Sequence, residues 1–182
     1  MKTESTFMYV LRLALILLAI TSVVAAALAG VNSITKPAIE KLTAEKTQAA
    51  IEMVLPGGGD PIDFSDDSGL VSVVYQGEAG YAVQVAPAGF DGAITMMVGV
   101  DAEGNVLGIS IIKHTETAGL GAVAAASTSA GEAFRGQFVG TSGSVAVSKD
   151  GGELDAITGA TITSRAVCAG VNAALACVAN MG

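Results

Sequence analysis

The chain has 182 residues and a formal net charge of −8, from nine Lys or Arg and seventeen Asp or Glu residues. This length accommodates one membrane segment and one domain of ordinary size. Nucleic-acid binding needs clustered basic residues, and a structural zinc site needs about four His or Cys ligands. The sequence has no basic run and contains only one His and two Cys, which argues against both kinds of site.

An uncharged apolar stretch at residues 13–31 predicts a membrane helix. Its roughly 19 residues would span about 28 Å, which just crosses the hydrocarbon core. A signal peptide cleaved among the small residues 25–29 is the alternative, but the apolar run exceeds the usual length for one. We therefore expect an uncleaved anchor at 1–32 and an extracytoplasmic domain at 33–182. Lys2 and Arg12 weakly favour a cytoplasmic N-terminus.

The region after the anchor predicts a second helix and then a loop. Ser33 or Thr35 is expected to cap this helix, with Pro37 in its first turn, and apolar residues recur at helical spacing as far as Leu55. The Pro- and Gly-rich segment 56–61 ends it, and the acidic residues through Ser68 are expected in an exposed loop.

Short segments rich in Val and Ile, separated by turn residues, predict four strands in an antiparallel meander. Helices would pack on this sheet to give an α+β domain. The predicted strands are residues 70–75, 81–85, 93–100 and 106–112. Beyond them we expect a short helix or loop at 122–130, an aromatic segment docked on the domain at 134–139, and a last short strand at 145–148.

The sequence His114-Thr115-Glu116-Thr117-Ala118-Gly119-Leu120-Gly121 follows the fourth predicted strand. Polar side chains and glycines where a strand gives way to a loop can bind a polar ligand and let the backbone approach it closely. The residues alone also allow a surface histidine and a helix-capping Glu116.

A second motif, Asp155-Ala156-Ile157-Thr158-Gly159-Ala160-Thr161-Ile162-Thr163-Ser164, precedes an alanine-rich run at 166–181 that is expected to be helical. Gly159 permits a turn, and hydroxyls with free N–H groups at a helix N-terminus can bind phosphate. The alternative is that Thr161 or Thr163 is an ordinary N-cap. Cys168 and Cys177 in this helix would face opposite sides, so we interpret them as small buried apolar residues.

The string Asp-x-x-Thr-Gly-Ala-Thr-x-Thr resembles the flavinylation motif of FMN-binding domains in G subunits of Rnf-type complexes and C subunits of sodium-pumping NADH:quinone reductases. The string His-x-Glu-Thr-x-Gly-Leu-Gly resembles the second signature of that family, with Ala118 where proline is usual, and Thr-Lys-Pro-x-Ile after the anchor is also similar. The resemblance implies FMN joined by a phosphoester to Thr161. It also implies loading from FAD by a flavin transferase that recognises Asp155 and Gly159.

The remaining candidate cofactor-binding residues form two groups. Those expected at the phosphate are Thr158, Ala160, Thr163 and Ser164. Those expected at the isoalloxazine or ribityl part are His114, Thr115, Glu116, Thr117, Gly119 and Leu120. No catalytic residue and no complete active site are expected in this chain alone, because the redox chemistry belongs to the cofactor.

The resemblance implies an electron-carrying subunit of a membrane ion-translocating ferredoxin:NAD oxidoreductase, held in the cytoplasmic membrane beside other subunits. NAD binding by this chain is not expected, since no Gly-x-Gly-x-x-Gly follows a strand. A subunit of a sodium-pumping NADH:quinone reductase, a stand-alone anchored flavoprotein and an exported module without flavin are the alternatives. The short chain, without long insertions, favours the Rnf type.

Overall fold

The structure is a computed structural model that describes residues 3–181, with side chains from residue 7 onward. Contacts divide the chain into two units, residues 1–44 and 45–182. The second unit begins inside a helix, at Glu45. The anchor boundary at residue 32 rests on hydropathy and stays a prediction.

Helix α1 spans Thr3–Val54 without interruption. The predicted helix start near Pro37 is therefore wrong, because Pro37 lies inside α1. Ser33, expected as a cap, instead donates its hydroxyl to the Ala29 carbonyl at 2.8 Å, which is the hydrogen bond of a residue inside a helix. Helix α1 continues through Pro37 although a proline in a helix interior costs about 3 kcal/mol.

The first unit exposes every described side chain from residue 7 to residue 44. Within the described residues, α1 is one of two helices long and apolar enough to span a membrane. The other lies near the C-terminus and has 67% of its apolar window buried. Of these two helices only α1 presents an unburied apolar segment, and it is the candidate membrane helix.

The second unit contains a five-stranded antiparallel sheet in the order β1-β2-β3-β4-β5. Its strands are β1 Asp60–Ile62, β2 Val71–Gly77, β3 Gly80–Val85, β4 Thr95–Val100 and β5 Val106–Lys113. The four predicted strands are confirmed. Strand β1 lies in the segment predicted as a loop. The sequence does not predict this strand, because three residues that include Pro61 show no alternation of apolar and polar positions. An edge strand tolerates such a proline.

Helices α2 Ser129–Gly136 and α3 Thr161–Ala179 complete this unit, with 3-10 turns at Gly121–Ala125 and Ser148–Asp150. The predicted strand at 145–148 is wrong. Val147 makes only an isolated bridge to Leu154, because Ser148–Asp150 winds into a helical turn that ends at Gly151, whose φ is 87°. The predicted aromatic segment is confirmed, since Phe134 and Phe138 are buried edge to face.

The sheet is covered on both faces. Helix α3 packs on one face, where Val167 and Val171 join Met96 and Val98 in the main core. Gly170 lets α3 approach closely, since a β-carbon there would lie 2.8 Å from Met96 Cε. The other face is covered by the last residues of α1 and by Leu55. This second apolar cluster consists of Ala50, Ile51, Val54, Leu55, Ala82, Met97 and Ile112.

Cys168 and Cys177 are both buried free thiols on α3, as predicted. Burial raises the pKa of the Cys168 thiol to about 11. Burial also raises the pKa of Cys177, whose sulfur lies 3.6 Å from the Ser65 carbonyl oxygen. A thiol with a raised pKa is a poor nucleophile at neutral pH, so these residues contribute packing.

Candidate functional site

Glu116 brings the two sequence motifs together. Its Oε2 accepts a hydrogen bond from the Thr163 hydroxyl in the first turn of α3. Its Oε1 accepts from the backbone N–H groups of Phe90 at 2.9 Å and Asp91 at 3.1 Å. The carboxylate therefore joins the loop after β3, the loop after β5 and the start of α3.

The Glu116 carboxylate is only 7% exposed, yet it favours the ionised form. Burial alone raises the pKa of Glu116. The hydrogen bonds from Thr163, Asp91 and Phe90, together with the charge of His114, outweigh burial, so the pKa lies below its ordinary value. A buried carboxylate with this many donors is a fixed negative charge at neutral pH.

Two glycines make room for this carboxylate. A β-carbon at Gly121 would overlap both Glu116 Oε2 and Thr163 Oγ1, and a β-carbon at Gly89 would overlap Glu116 Oε1. The Gly121–Ala125 turn and the loop before β4 therefore approach the carboxylate as closely as backbone can.

A cavity of about 320 Å³ lies beside the Glu116–Thr163 bond. Seven of the predicted site residues line it: Glu116, Thr117, Leu120, Gly159, Ala160, Thr161 and Thr163. Four further residues line it: Gly121 and Ile162, which lie within the two motifs, and Phe90 and Lys149, which lie outside them and were not predicted. The two motifs thus form one site, although they are separated along the chain.

Thr161 is the first residue of α3, and its hydroxyl oxygen lies 3.2 Å from the Nζ of Lys149. The N-cap residue is Ala160, which makes no side-chain capping bond. The alternative that Thr161 or Thr163 caps the helix is therefore wrong, because the hydroxyl of Thr161 pairs with Lys149 and that of Thr163 with Glu116.

The turn before α3 supplies donors for an anion. Gly159 has a φ of 76°, a conformation that glycine adopts without strain. The first N–H groups of a helix have no partner within the helix, and no side chain caps α3. With the Lys149 ammonium beside them, these groups form a site suited to one phosphate.

Ser164 stabilises the same turn from inside. Its hydroxyl donates to the Ala160 carbonyl and accepts from the Ile157 N–H, each at 3.0 Å. Ser164 is fully buried and does not line the cavity. Its hydroxyl bonds to the backbone of the turn, and its predicted contact with phosphate stays a prediction.

The other predicted site residues lie outside the cavity lining. Thr115 donates its hydroxyl to the Asp91 carbonyl at 2.6 Å. Asp155 is exposed, and its backbone is paired with the Gln137 side chain, with N–H to Oε1 at 2.7 Å and carbonyl to Nε2 at 3.3 Å. Thr158 and Gly119 are also exposed.

His114 is half-buried just before the Glu116 loop. Its Nδ1 is buried and has no hydrogen-bond partner among the described residues. His114 does not line the cavity, so its predicted contact with the cofactor stays a prediction.

Exposed apolar side chains form part of the cavity rim. Phe90 is 68% exposed, Ile162 49% and Leu120 43%. Large apolar groups around a polar floor suit a ligand with a flat ring system at one end and an anionic group at the other. The Phe90 contribution could not be predicted, since a single Phe in a Gly-rich loop carries no periodic signal.

Comparison with known proteins agrees with this geometry. A family model described as an FMN-binding domain matches residues 89–176, which include both motifs. The G subunit of the Na⁺-translocating ferredoxin:NAD⁺ oxidoreductase complex of Acetobacterium woodii is 33% identical over 99% of this chain and 97% of its own length. The G subunit of the ion-translocating oxidoreductase complex of Methanosarcina acetivorans is 32% identical over 86% of this chain and 87% of its own. The Cronobacter sakazakii protein of the same name is 37% identical over 75% of this chain and 74% of its own.

The fold and the site therefore define an FMN-binding domain preceded by an apolar helix. The chain belongs to the family of G subunits of ion-translocating oxidoreductase complexes. The family resemblance predicted from the two motifs is confirmed.

The residues present fit FMN. Lys149 and the uncapped start of α3 match the charge of a phosphate, and the rim of Phe90, Leu120 and Ile162 matches an aromatic ring.

Proposed function

We propose that this protein is an electron-carrying G subunit of an Rnf-type complex, with FMN attached by a phosphoester to the hydroxyl of Thr161. The observation that carries the proposal is the position of this hydroxyl. It lies at the edge of the cavity, beside the Lys149 ammonium and at the start of an uncapped helix. A phosphate on Thr161 would be paired with charge on one side and with N–H donors on the other.

Attachment needs a nucleophilic oxygen that an enzyme can reach. Thr161 is half-buried, whereas Thr163 and Ser164 are buried and hydrogen-bonded within the domain. In the transfer, Thr161 Oγ1 forms a bond to the FMN phosphorus of FAD, AMP leaves, and a base of the flavin transferase accepts the hydroxyl proton.

The chain's own residues would hold and orient the cofactor. Bound FMN accepts and donates one or two electrons. Glu116 fixes the positions of the three segments around the cavity, and Phe90, Leu120 and Ile162 shield its apolar part from water. A cofactor linked to Thr161 is retained when its charge changes, as a relay requires.

The proposed setting is the cytoplasmic membrane, with α1 as a single-pass anchor and the FMN-binding domain on the extracytoplasmic side. The unburied apolar segment of α1 supports the anchor, and the full-length similarity to G subunits supports assembly with other membrane subunits. A flavin transferase is the proposed maturation partner.

The test compares the native chain with Thr161→Ala after co-expression with a flavin transferase. Thr95→Ala, which removes a half-buried threonine hydroxyl at the start of β4, is the matched control. We expect the native and control chains to gain the mass of one FMN less water and to fluoresce in denaturing gels, and Thr161→Ala to show neither property. Unmodified masses in all three samples would overturn the proposal.

A further inference from the structure

An ion pair connects α3 to the turn that carries Lys149. Arg165 lies one helical turn after Thr161, and therefore on the same face of α3. Its Nε donates to Asp150 Oδ2 at 2.6 Å and its Nη2 donates to Asp150 Oδ1 at 2.5 Å. Both carboxylate oxygens of Asp150 thus accept hydrogen bonds from one guanidinium.

This contact lies at the surface of the domain. The Arg165 and Asp150 side chains are 51% and 38% exposed. Exposed ion pairs commonly contribute little to stability. A two-point Arg–carboxylate contact, however, fixes the relative orientation of the two side chains. Its position between two parts of the site points to orientation as its role.

Asp150 is the last residue of the 3-10 turn Ser148–Asp150, and Lys149 is the middle one. The turn is also fixed by its backbone, because Ser148 N–H donates to the Leu154 carbonyl at 2.7 Å. Two adjacent pairs therefore connect the turn to α3. The Nζ of Lys149 lies 3.2 Å from Thr161 Oγ1, and the carboxylate of Asp150 lies within 2.6 Å of the Arg165 guanidinium.

Arg165 also removes a competitor for Lys149. A free Asp150 carboxylate next to a flexible lysine would attract its ammonium group away from Thr161. The guanidinium of Arg165 offsets the charge of Asp150 and so weakens the attraction of the Lys149 ammonium to that carboxylate, which leaves the ammonium beside Thr161 Oγ1. An ammonium group only donates, so it occupies a lone pair of Oγ1 and leaves the hydroxyl proton directed elsewhere.

We propose that the Asp150–Arg165 ion pair is a positioning device for flavin attachment, which keeps the Lys149 ammonium beside Thr161 so that it pairs with the phosphate as the bond forms. This inference rests on the proposed attachment of FMN to Thr161. The bond formed joins Thr161 Oγ1 to phosphorus, the bond broken joins phosphorus to the AMP part of FAD, and the transferase base accepts the proton. Lys149 stabilises the negative charge on the phosphoryl oxygens during this exchange.

The experiment measures the initial rate of FMN incorporation into the full chain in detergent, with purified flavin transferase and FAD. Gel fluorescence and intact mass follow the product. We expect Lys149→Ala to lower the rate roughly tenfold or more, as for loss of a charged hydrogen bond, and Lys149→Arg to recover part of it. Lys46→Ala removes the same charge from an exposed position on α1, outside the cavity lining, and should leave the rate unchanged.

A double-mutant cycle distinguishes positioning from a general structural effect. Arg165→Ala should lower the rate several-fold, but the variant carrying both Arg165→Ala and Lys149→Ala should be no slower than Lys149→Ala alone. The exchange of Asp150→Arg with Arg165→Asp, which restores the pair in reverse, should recover part of the native rate if Arg165→Ala proves unstable on heating.

Several results would overturn the inference. One is a native rate of FMN incorporation for Lys149→Ala. Another is a double variant whose loss of rate equals the product of the losses in Arg165→Ala and Lys149→Ala. A third is an exchange variant that folds but incorporates FMN as slowly as Lys149→Ala. A native chain that is never modified would instead overturn the attachment to Thr161, so the two failures are distinguishable.

Discussion

At the scale of single residues, Glu116 holds the segments of the site together. One carboxylate accepts hydrogen bonds from two backbone N–H groups and from the Thr163 hydroxyl. If it were removed, two backbone N–H groups of the loop after β3 and the Thr163 hydroxyl would lose their partner, and a polar group left unpaired away from water costs about 1–3 kcal/mol. The residue therefore supports the cavity in addition to lining it.

The lowered pKa of Glu116 predicts a pH dependence of stability. Its ordinary value is 4.5, and the folded value lies below it, because the hydrogen bonds from Thr163, Asp91 and Phe90 outweigh the raising effect of burial. The stabilisation is therefore fully present above pH 4.5 and is lost as the pH falls through the folded pKa. We expect the native chain to be more stable than Glu116→Gln at pH 7 and the difference to shrink toward pH 3.

Denaturant unfolding of both chains in detergent across this pH range measures the effect. The subtraction removes the common contribution of other carboxylates with lowered pKa values, such as Asp66 and Asp101. A difference that stays constant from pH 7 to pH 3 would contradict the prediction.

At this scale, the two motifs located the site correctly, but they did not reveal which bonds each side chain makes. Glu116, Thr161 and Thr163 line one cavity, while the hydroxyls of two predicted phosphate ligands, Thr163 and Ser164, also bond within the protein. Thr163 donates to Glu116, and Ser164 bonds to the backbone of the turn. Lys149 could not be identified beforehand, since its proximity to Thr161 depends on a 3-10 turn in a segment that resembles a strand.

At the scale of elements, the contact between α1 and β4 depends on a glycine. A β-carbon at Gly99 would overlap the carbonyl group of Val54 at the end of α1. Gly108 lies directly opposite Gly99 on β5, and a β-carbon there would meet only Val54 Cγ1, at 3.9 Å. The two glycines are paired across the sheet, but only Gly99 lacks the space for a β-carbon.

We expect Gly99→Ala to lower the free energy of unfolding by roughly 1–3 kcal/mol, because the helix backbone must move. Gly108→Ala should change it by about 0.5 kcal/mol or less. Denaturant unfolding of the two variants measures this contrast, and equal effects would show that α1 does not pack tightly on β4.

The elements with clear periodicity were predicted from the sequence, and the others were not. Four strands alternate or carry continuous Val and Ile, which fixes both their type and their place. The three-residue β1 and the turn at Ser148–Asp150 are too short for periodicity to decide. Pro37 lies inside α1, and its position in the sequence does not distinguish the first turn of a helix from a helix interior.

At the scale of the whole molecule, the compact unit includes the last part of the long helix. Ala50, Ile51, Val54 and Leu55 are each 3% exposed or less, and they cover one face of the sheet. The FMN-binding unit therefore depends on residues that precede the family match by several dozen positions.

A pair of truncations tests this dependence. A fragment of residues 45–182 should be monomeric without detergent and should unfold in one cooperative transition. A fragment of residues 56–182 should aggregate or melt at a lower temperature, because Ala82, Met97 and Ile112 lose their cover. Size-exclusion chromatography and thermal unfolding measure both properties, and equal behaviour of the fragments would contradict the assignment of α1 to the core.

Burial of Thr163 and Ser164 also determines how uniform a modified sample would be. Three hydroxyls occur within the first turn of α3, but two of them are at most 2% exposed. Of these three hydroxyls only that of Thr161 is partly exposed, so burial would make the proposed attachment selective within this turn. A chain modified before it folds would lose that selection, and peptide mapping would then reveal a mixture of positional isomers.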